Sequence, residues 1–386
     1  TQAEQMDNYA IYCDRRMTEM KGRPGWRSNM KVGFAGRSPT MWMGGWNGSY
    51  DGTLVPAIGS LTDFSTIDMY YGQGAASDSD QDIFAGLFAT AFRHEHEIVD
   101  MKTAFATANG GTDIETTVYE GNATWGGYQS DMSNPSELYY KAVSLGAAVS
   151  LVDNYAAINR AGVTVNNHFH YAGNIWGATG PYPATLRKPA FYALQMFTHH
   201  VHGDLVTCTV TGSGTWNDNL TGETNVPYVA CYPYKNGDIW YVLVVNRHIT
   251  ETRDIEIPQL LAPISKTSLT GADLNANNET AENVTLVTET LSGVLTNPVA
   301  ETIPAASAVV LVLSETGDPP PDGGPPGPDG ATPGPDGATP GDSAPPPGDS
   351  APPPGDSAPP PGDSSTPSGD GSTSAGDDDD TPLGAN

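Results

Sequence analysis

The sequence has 386 residues and a formal net charge of −28, from 45 acidic and 17 basic side chains. A chain of this length has room for two folded domains, and its negative charge argues against DNA, RNA or an anionic membrane as a partner, because each would be repelled. The sequence contains neither a CxxC pair nor an apolar run long enough to span a bilayer. We therefore expect no zinc ribbon, no metal ion or cofactor, and no membrane insertion.

Short strands and helices alternate over residues 1–204. The predicted elements are a helix over 5–21, a strand over 30–35, a helix over 50–58, a strand over 63–71, a helix over 80–108, a strand over 114–119, a helix over 135–161, a strand over 163–171 and a helix over 189–200. This alternation is typical of βαβ units around a parallel sheet. Four strands are half of those that a closed (β/α)8 barrel needs, so the pattern predicts an α/β fold containing a partial TIM barrel.

The pattern changes at residue 205. Short apolar segments separated by Gly, Asn and Pro predict an antiparallel β-sandwich over 205–316, with strands at 205–210, 228–234, 238–246, 253–257, 283–288 and 308–314. From 317 to 386 the chain contains thirteen Asp, no Glu and a seven-residue repeat, GPDGATP twice and GDSAPPP three times. This composition cannot bury a core, so we predict a disordered tail, of the kind that spaces a secreted domain from a cell surface to which it is attached.

The three cysteines are Cys13, Cys208 and Cys231. Cys13 lies on the amphipathic first helix and is predicted to be part of the core. Cys208 and Cys231 fall in neighbouring strand-like segments, where a disulfide and a pair of buried thiols are equally compatible with the sequence.

Glu120 follows the third predicted strand directly, in the segment ETTVYEGNATWGG. Catalytic groups of an α/β barrel stand where strands end and loops begin. Asn122 and Trp125 come next, and aromatic rings stack on the apolar faces of sugars while amides bind their hydroxyl groups. A carboxylate in that setting can attack or stabilise an oxocarbenium-like carbon. The alternative is a strand-end Glu in an ordinary salt bridge.

Several segments, taken in order, resemble the C-terminal part of a clan A retaining glycoside hydrolase, most closely the α-L-arabinofuranosidases of family 51, with family 39 as a neighbour. NYAIYCDRRMTEMKGRPGW resembles the helix after barrel strand four. MKVGFAG, DFSTIDMYYG and TTVYEGNATW resemble strands five, six and seven, and KPAFYALQMFTHHVHGDLV resembles the last barrel helix. The resemblance covers 5–313, so the four strands correspond to about strands five to eight. It implies a retaining mechanism with two glutamates and gives the role of nucleophile to Glu120.

In that family the acid/base lies at the end of strand four, a point that falls upstream of Thr1. We therefore expect strands one to four and the acid/base to lie outside this chain, and the chain alone to be inactive. Two positions depart from the family pattern: Gly121 stands where an aromatic residue is usual, and Met69 where a His is frequent. Both are expected to lie near the sugar.

Histidines and aromatic residues supply the other candidate contacts. His168 and His170 are two residues apart in a predicted strand and so share one face; they are predicted to bind sugar hydroxyls, with a structural role or a zinc site as alternatives. Tyr70 and Trp176 are predicted parts of a sugar platform. His94 and His96 on a helix point to different faces, so we interpret that segment as a solvated helix face.

These observations predict a secreted retaining glycoside hydrolase that acts on a polysaccharide or oligosaccharide, located outside the cell or on its surface. The predicted nucleophile is Glu120, and the predicted substrate contacts are Asn122, Tyr70, Trp125, His168, His170 and Trp176. Two alternatives remain: a non-catalytic carbohydrate-binding protein, and a structural or adhesive surface protein whose tail is the important part.

Overall fold

The computed structural model describes residues 2–35, 53–72, 75, 77–123, 137–173, 177–180 and 186–319. The helices are α1 (Gln2–Lys21), α2 (Val55–Ile58), α3 (Asp80–Ala108), α4 (Glu137–Ala142), α5 (Leu145–Arg160) and α6 (Pro189–His200), with a 3₁₀ turn at Gly59–Leu61. The strands are β1 (Gly33–Ala35), β2 (Phe64–Tyr71), β3 (Glu115–Ala123), β4 (Val163–His168), β5 (Asp204–Leu205), β6 (Thr215–Trp216), β7 (Val226–Pro227), β8 (Val229–Asn236), β9 (Ile239–Asn246), β10 (Arg253–Ile257), β11 (Ala262–Thr270), β12 (Thr285–Thr290), β13 (Val299–Ile303) and β14 (Ser307–Ser314). Most of the predicted tail, from 320 onward, lies outside the described residues.

The first four strands form a parallel sheet in the order β1-β2-β3-β4. Its buried face packs against α3 and α5, where Ile67 and Val118 from the strands meet Ile98 and Ile158 from the helices. The predicted mixed α/β fold with a parallel sheet is therefore confirmed, and its assignment to particular barrel strands stays a prediction. Among the described helices, none is long and apolar enough to cross a bilayer.

One predicted helix, 135–161, is two helices in the structure. The chain leaves the helical conformation at Ser144, which adopts an extended conformation. The Ser144 hydroxyl accepts a hydrogen bond from the Ala147 backbone N–H and so caps α5. The predicted helix 50–58 is described from residue 53, and its described part is helical and continues into the 3₁₀ turn. By contrast, α3 and α6 have the predicted bounds.

The antiparallel part contains a six-stranded sheet in the order β12-β11-β14-β9-β8-β5. One face packs on the small sheet β10-β13 through residues such as Leu311 and Ile303, and the other packs on α5 and α6 through residues such as Val310 and Met196. Because both faces of β14 are buried, its sequence is a continuous apolar run and does not alternate between apolar and polar residues. The predicted sandwich is thus confirmed in outline, with two strands in its second layer among the described residues.

A buried ion pair joins the two parts. The Arg247 guanidinium, which follows β9, contacts the Asp153 carboxylate on α5 at 2.6 Å and 3.0 Å. The Tyr232 hydroxyl donates to the same carboxylate at 2.7 Å. All three side chains are fully inaccessible to solvent or nearly so, so this network fixes α5 against the antiparallel sheet.

Candidate active site at the carboxyl end of the parallel sheet

A β-bulge in β3 sets the direction of Glu120. Ile67 of β2 is opposite Val118, but the next residue, Asp68, is opposite Glu120, so Tyr119 is an inserted residue. Such a bulge shifts the alternation of side chains by one position. Val118 points to the buried helix side of the sheet, and the bulge therefore turns Glu120 to the opposite side, where its side chain is half-buried.

The Glu120 carboxylate has a tyrosine partner on the neighbouring strand. The Tyr70 hydroxyl donates a hydrogen bond of 2.5 Å to Glu120 Oε2. Burial, followed by the hydrogen bond and charge of Glu120, raises the pKa of Tyr70, so its hydroxyl keeps its proton. Asp68 lies on the same side of the sheet, and burial together with the Glu120 charge raises the pKa of Asp68. Two carboxyl groups and a phenol thus lie together in the carboxyl-terminal halves of β2 and β3.

Asn122 lies deeper than Glu120. It is buried, its Nδ2 donates to the Phe169 carbonyl at 3.2 Å, and its Oδ1 accepts from the Ala123 backbone N–H at 2.7 Å. Nδ2 is also 3.5 Å from His168 Nε2. These contacts tie the end of β3 to the end of β4, and the predicted contact of Asn122 with the sugar stays a prediction.

His168 and His170 do not share a strand face, contrary to the prediction. The strand ends at His168, because His170 adopts a left-handed conformation with φ of 67°. His168 Nδ1 lies 3.2 Å from the Tyr155 hydroxyl on α5. The exposed His170 instead stacks on Phe169 with ring centroids 4.1 Å apart, and Phe169 meets the edge of the Tyr70 ring at 5.8 Å. The rings of His170, Phe169 and Tyr70 therefore form a continuous cluster, and the Tyr70 hydroxyl joins this cluster to Glu120.

A cavity of about 410 Å³ runs along β4 between α5 and α6. Its walls include Asn166, His168, Tyr155, Leu194 and Phe197. Glu120 and Tyr70 are not among its lining residues. We therefore distinguish this cavity from the carboxylate site.

The two departures from the family pattern, Met69 and Gly121, adjoin the carboxylate site in sequence and pair with each other across β2 and β3. Met69 is 2% exposed and packs on the helix side of the sheet. A Cβ atom at Gly121 would lie 3.3 Å from the Met69 carbonyl oxygen and from Val118 Cγ1, so a larger residue has little space there. Because side chains alternate across a strand, both positions face the helix side, and the expectation that they lie near the sugar stays a prediction.

The interpretation of His94 as part of a solvated face is also wrong. His94 is fully buried, and its Nδ1 lies 2.7 Å from Asn154 Oδ1 on α5, whereas His96 is exposed. The two side chains do point to different faces, as their spacing requires. Burial lowers the pKa of His94 to about 3, so this histidine is neutral.

Trp125 and Trp176 lie outside the described residues, so their predicted contacts stay predictions. Three residues at or beside these sites, Asp68, Tyr155 and Phe169, were not predicted from the sequence. Asp68 had a detectable signal, since it alternates with apolar residues in a strand that ends beside the site. Within the described residues, no group of three His, Cys, Asp or Glu side chains is arranged to hold a metal ion.

The parallel sheet with its helices and the adjoining antiparallel sheet form a fold that is also found in solved structures of glycoside hydrolases. No protein-family model and no curated protein matches the sequence. The α-L-arabinofuranosidase of Thermotoga maritima, solved with arabinose, is similar over 80% of this chain and 62% of that chain, with a TM-score of 0.63 and 17% identity.

Two arabinofuranosidases of family 51 give the same result. AbfB, an α-L-arabinofuranosidase of Bifidobacterium longum, is 17% identical over 80% of this chain and 63% of that chain, with a TM-score of 0.64. The arabinofuranosidase of Xanthomonas axonopodis pv. citri is 13% identical over 79% and 63%, with a TM-score of 0.61. The resemblance to family 51 is thus confirmed at the level of fold, and the likeness to family 39 stays a prediction. This chain spans about three-fifths of the length of these proteins.

Proposed function

We propose that this chain contributes the nucleophile side of a retaining glycoside hydrolase active site, with Glu120 as the nucleophile. The observation that carries the proposal is the bulge at Tyr119, which turns Glu120 out of the packed face, together with the hydrogen bond from Tyr70 that holds its carboxylate. Bulges beside active sites re-aim a side chain in this way. Among the described residues, no salt bridge involves Glu120. We therefore prefer the role of nucleophile to that of a structural residue in a salt bridge.

In the proposed reaction, the Glu120 carboxylate attacks the anomeric carbon, the glycosidic bond breaks, and the leaving oxygen takes a proton from the general acid. Water, which gives its proton back to the same group, then hydrolyses the glycosyl-enzyme and frees the Glu120 carboxylate. Tyr70 keeps one carboxylate oxygen in place and leaves the other for attack. Asn122 positions the end of β4, and His168, His170, Trp125 and Trp176 are proposed contacts to the sugar. We assign the general acid/base to a residue outside the described part of the chain.

The proposed substrate is an arabinofuranoside-containing polysaccharide or oligosaccharide, because the similar structures are arabinofuranosidases. We further propose action outside the cell or at its surface, since the acidic Pro/Gly/Ser/Asp tail is of the type that spaces secreted domains.

An aryl arabinofuranoside with a strongly activated leaving group tests the proposal. Such a leaving group departs without protonation, so the first step needs the nucleophile and no general acid. We expect a burst of phenolate that approaches one equivalent per chain, followed by slow turnover.

The matched variants are Glu120→Gln and Glu115→Gln. Glu115 lies at the other end of β3, where it contacts Lys31 at 2.5 Å. The burst should disappear in the first variant and persist in the second. Equal bursts, or none in the unaltered chain, would refute the nucleophile role. Binding to arabinan without any burst would favour the carbohydrate-binding alternative.

A further inference from the structure

Cys208 and Cys231 lie opposite each other on adjacent antiparallel segments. In the pairing of β5 with β8, Asp204 is opposite Lys235 and Leu205 is opposite Tyr234. The pairing continues beyond β5, because the Val206 N–H donates to the Pro233 carbonyl at 2.8 Å. The same register brings Cys208 opposite Cys231.

The side chains confirm this juxtaposition. The Cys208 Sγ lies 3.0 Å from the Cys231 carbonyl oxygen. Directly opposite residues in an antiparallel pair have Cα atoms about 4.5–5.5 Å apart, which is within the roughly 4.4–6.8 Å that a disulfide requires. Both thiols are free and half-buried in the structure, whereas Cys13 is buried in a separate core cluster.

The two thiols differ in acidity. A hydrogen bond from the Cys231 thiol lowers the pKa of Cys208 to about 7, against the opposing effect of burial and with a smaller contribution from the Arg160 guanidinium. The same hydrogen bond and burial raise the pKa of Cys231. A thiolate is the nucleophile in disulfide exchange, so Cys208 is suited to react first and Cys231 to react second.

The pair lies where the antiparallel sheet meets the helices of the parallel part. Arg160, the last residue of α5, donates to the Cys231 carbonyl at 3.3 Å and makes two 2.6 Å hydrogen bonds to Glu95 of α3. Between the cysteines, the chain forms β6 and β7, and Leu220 in their connection packs beside Gly86 of α3. A bond between the two sulfurs would close residues 208–231 into a covalent loop.

We propose that Cys208 and Cys231 form a thiol–disulfide pair that is oxidised by exchange with a small external disulfide of the glutathione type. The Cys208 thiolate attacks one sulfur of the external disulfide, which forms a mixed disulfide and releases one thiolate. Cys231 loses its proton to solvent and its sulfur attacks Cys208, which forms the internal bond and releases the second thiolate. The protein loses two electrons and two protons, and the external disulfide becomes two thiols.

The test equilibrates the full folded chain with mixtures of oxidised and reduced glutathione, quenches with acid, and maps thiols by alkylation and mass spectrometry. We expect the oxidised chain to lose the mass of two hydrogen atoms and to give one cross-linked peptide pair containing Cys208 and Cys231. Cys13 should stay a thiol and serves as the internal control. The Cys231→Ser variant should accumulate a glutathione adduct at Cys208.

A bridge should also raise the thermal unfolding midpoint, by roughly 5 °C, because it constrains the unfolded chain. The double variant Cys208→Ser/Cys231→Ser should show no redox dependence of that midpoint. Three free thiols at full oxidation, or a stable glutathione adduct on the unaltered chain, would overturn the proposal. The thiol map of the unaltered chain decides the outcome even if a variant fails to fold.

Discussion

The Tyr70 hydroxyl and the Glu120 carboxylate are joined across two parallel strands by a hydrogen bond of 2.5 Å. The contact exists because the bulge at Tyr119 puts Glu120 on the same side of the sheet as Tyr70. A donor on one carboxylate oxygen fixes the side chain and leaves the second oxygen for chemistry.

Tyr70→Phe should slow the phenolate burst by roughly ten- to a hundredfold, because hydrogen bonds to charged groups are worth about 1.5–3 kcal/mol. Stopped-flow measurement of the burst rate checks this. Tyr119→Phe is the matched control, since Tyr119 is exposed on the adjacent residue, and its burst should be unchanged. Equal rates in the two variants would show that Tyr70 does not position the nucleophile.

Asp68 should report the charge of Glu120. The Glu120→Gln substitution should lower the pKa of Asp68, because it removes one of the two causes that raise it. A raised pKa in the folded state means that folding takes up a proton, so stability falls as pH rises from the ordinary Asp pKa through the raised one. The substitution should reduce that fall.

Carboxyl-resolved NMR titration measures the Asp68 pKa directly. Glu115→Gln, at the far end of β3, should leave the value unchanged. An Asp68 titration that is insensitive to Glu120→Gln would contradict the register that pairs these residues.

His94 should make the protein sensitive to mild acid. Burial lowers the pKa of His94 to about 3 in the folded chain. Below about pH 6.5, the ordinary pKa of histidine, the unfolded chain therefore binds a proton at His94 and the folded chain does not. The free energy of unfolding should therefore fall by about 1.4 kcal/mol for each pH unit below that value. His94→Gln should flatten this dependence and His96→Gln should not, as followed by urea unfolding at several pH values. Identical pH profiles for the two variants would be inconsistent with a neutral buried His94.

Removing only one partner of the Asp153–Arg247 ion pair should strongly lower the free energy of unfolding. Arg247→Met leaves a buried carboxylate and should lower the free energy of unfolding by about 3–5 kcal/mol. The double variant Asp153→Leu/Arg247→Met should recover much of that loss, because neither charge is then left unpaired. Arg15→Ala, which breaks an exposed pair with Glu19, should cost at most about 1 kcal/mol. Denaturant unfolding measures the free energy of unfolding of each variant. Similar decreases for Arg247→Met and Arg15→Ala would contradict the claim that the buried pair stabilises the contact between α5 and the antiparallel sheet.

The sequence predicted the parts of the fold that depend on local pattern. Strand and helix alternation indicated the parallel sheet, and α6 begins at Pro189 because proline is well suited to a first helical turn. The apolar run at 308–314 indicated the strand β14. Glu120 was identified as a candidate from its position after a strand.

Features that depend on tertiary contacts could not be predicted. A one-residue bulge leaves no mark in the segment TTVYE, so the direction of the Glu120 side chain was not determined by pattern alone. The end of β4 before His170, the burial of His94 and the pairing of Asp153 with Arg247 each depend on elements far apart in the chain. Their residue types alone gave no indication of them.

The most direct test of the central claim is the identity of the labelled residue. An arabinofuranosyl inactivator whose 2-fluoro substituent slows hydrolysis of the glycosyl-enzyme should attach one sugar per chain, and peptide mapping should find it on Glu120. Glu120→Gln should abolish labelling, and Glu115→Gln should not. A sugar attached to another carboxylate, or labelling that survives Glu120→Gln, would contradict the assignment of Glu120 as the nucleophile.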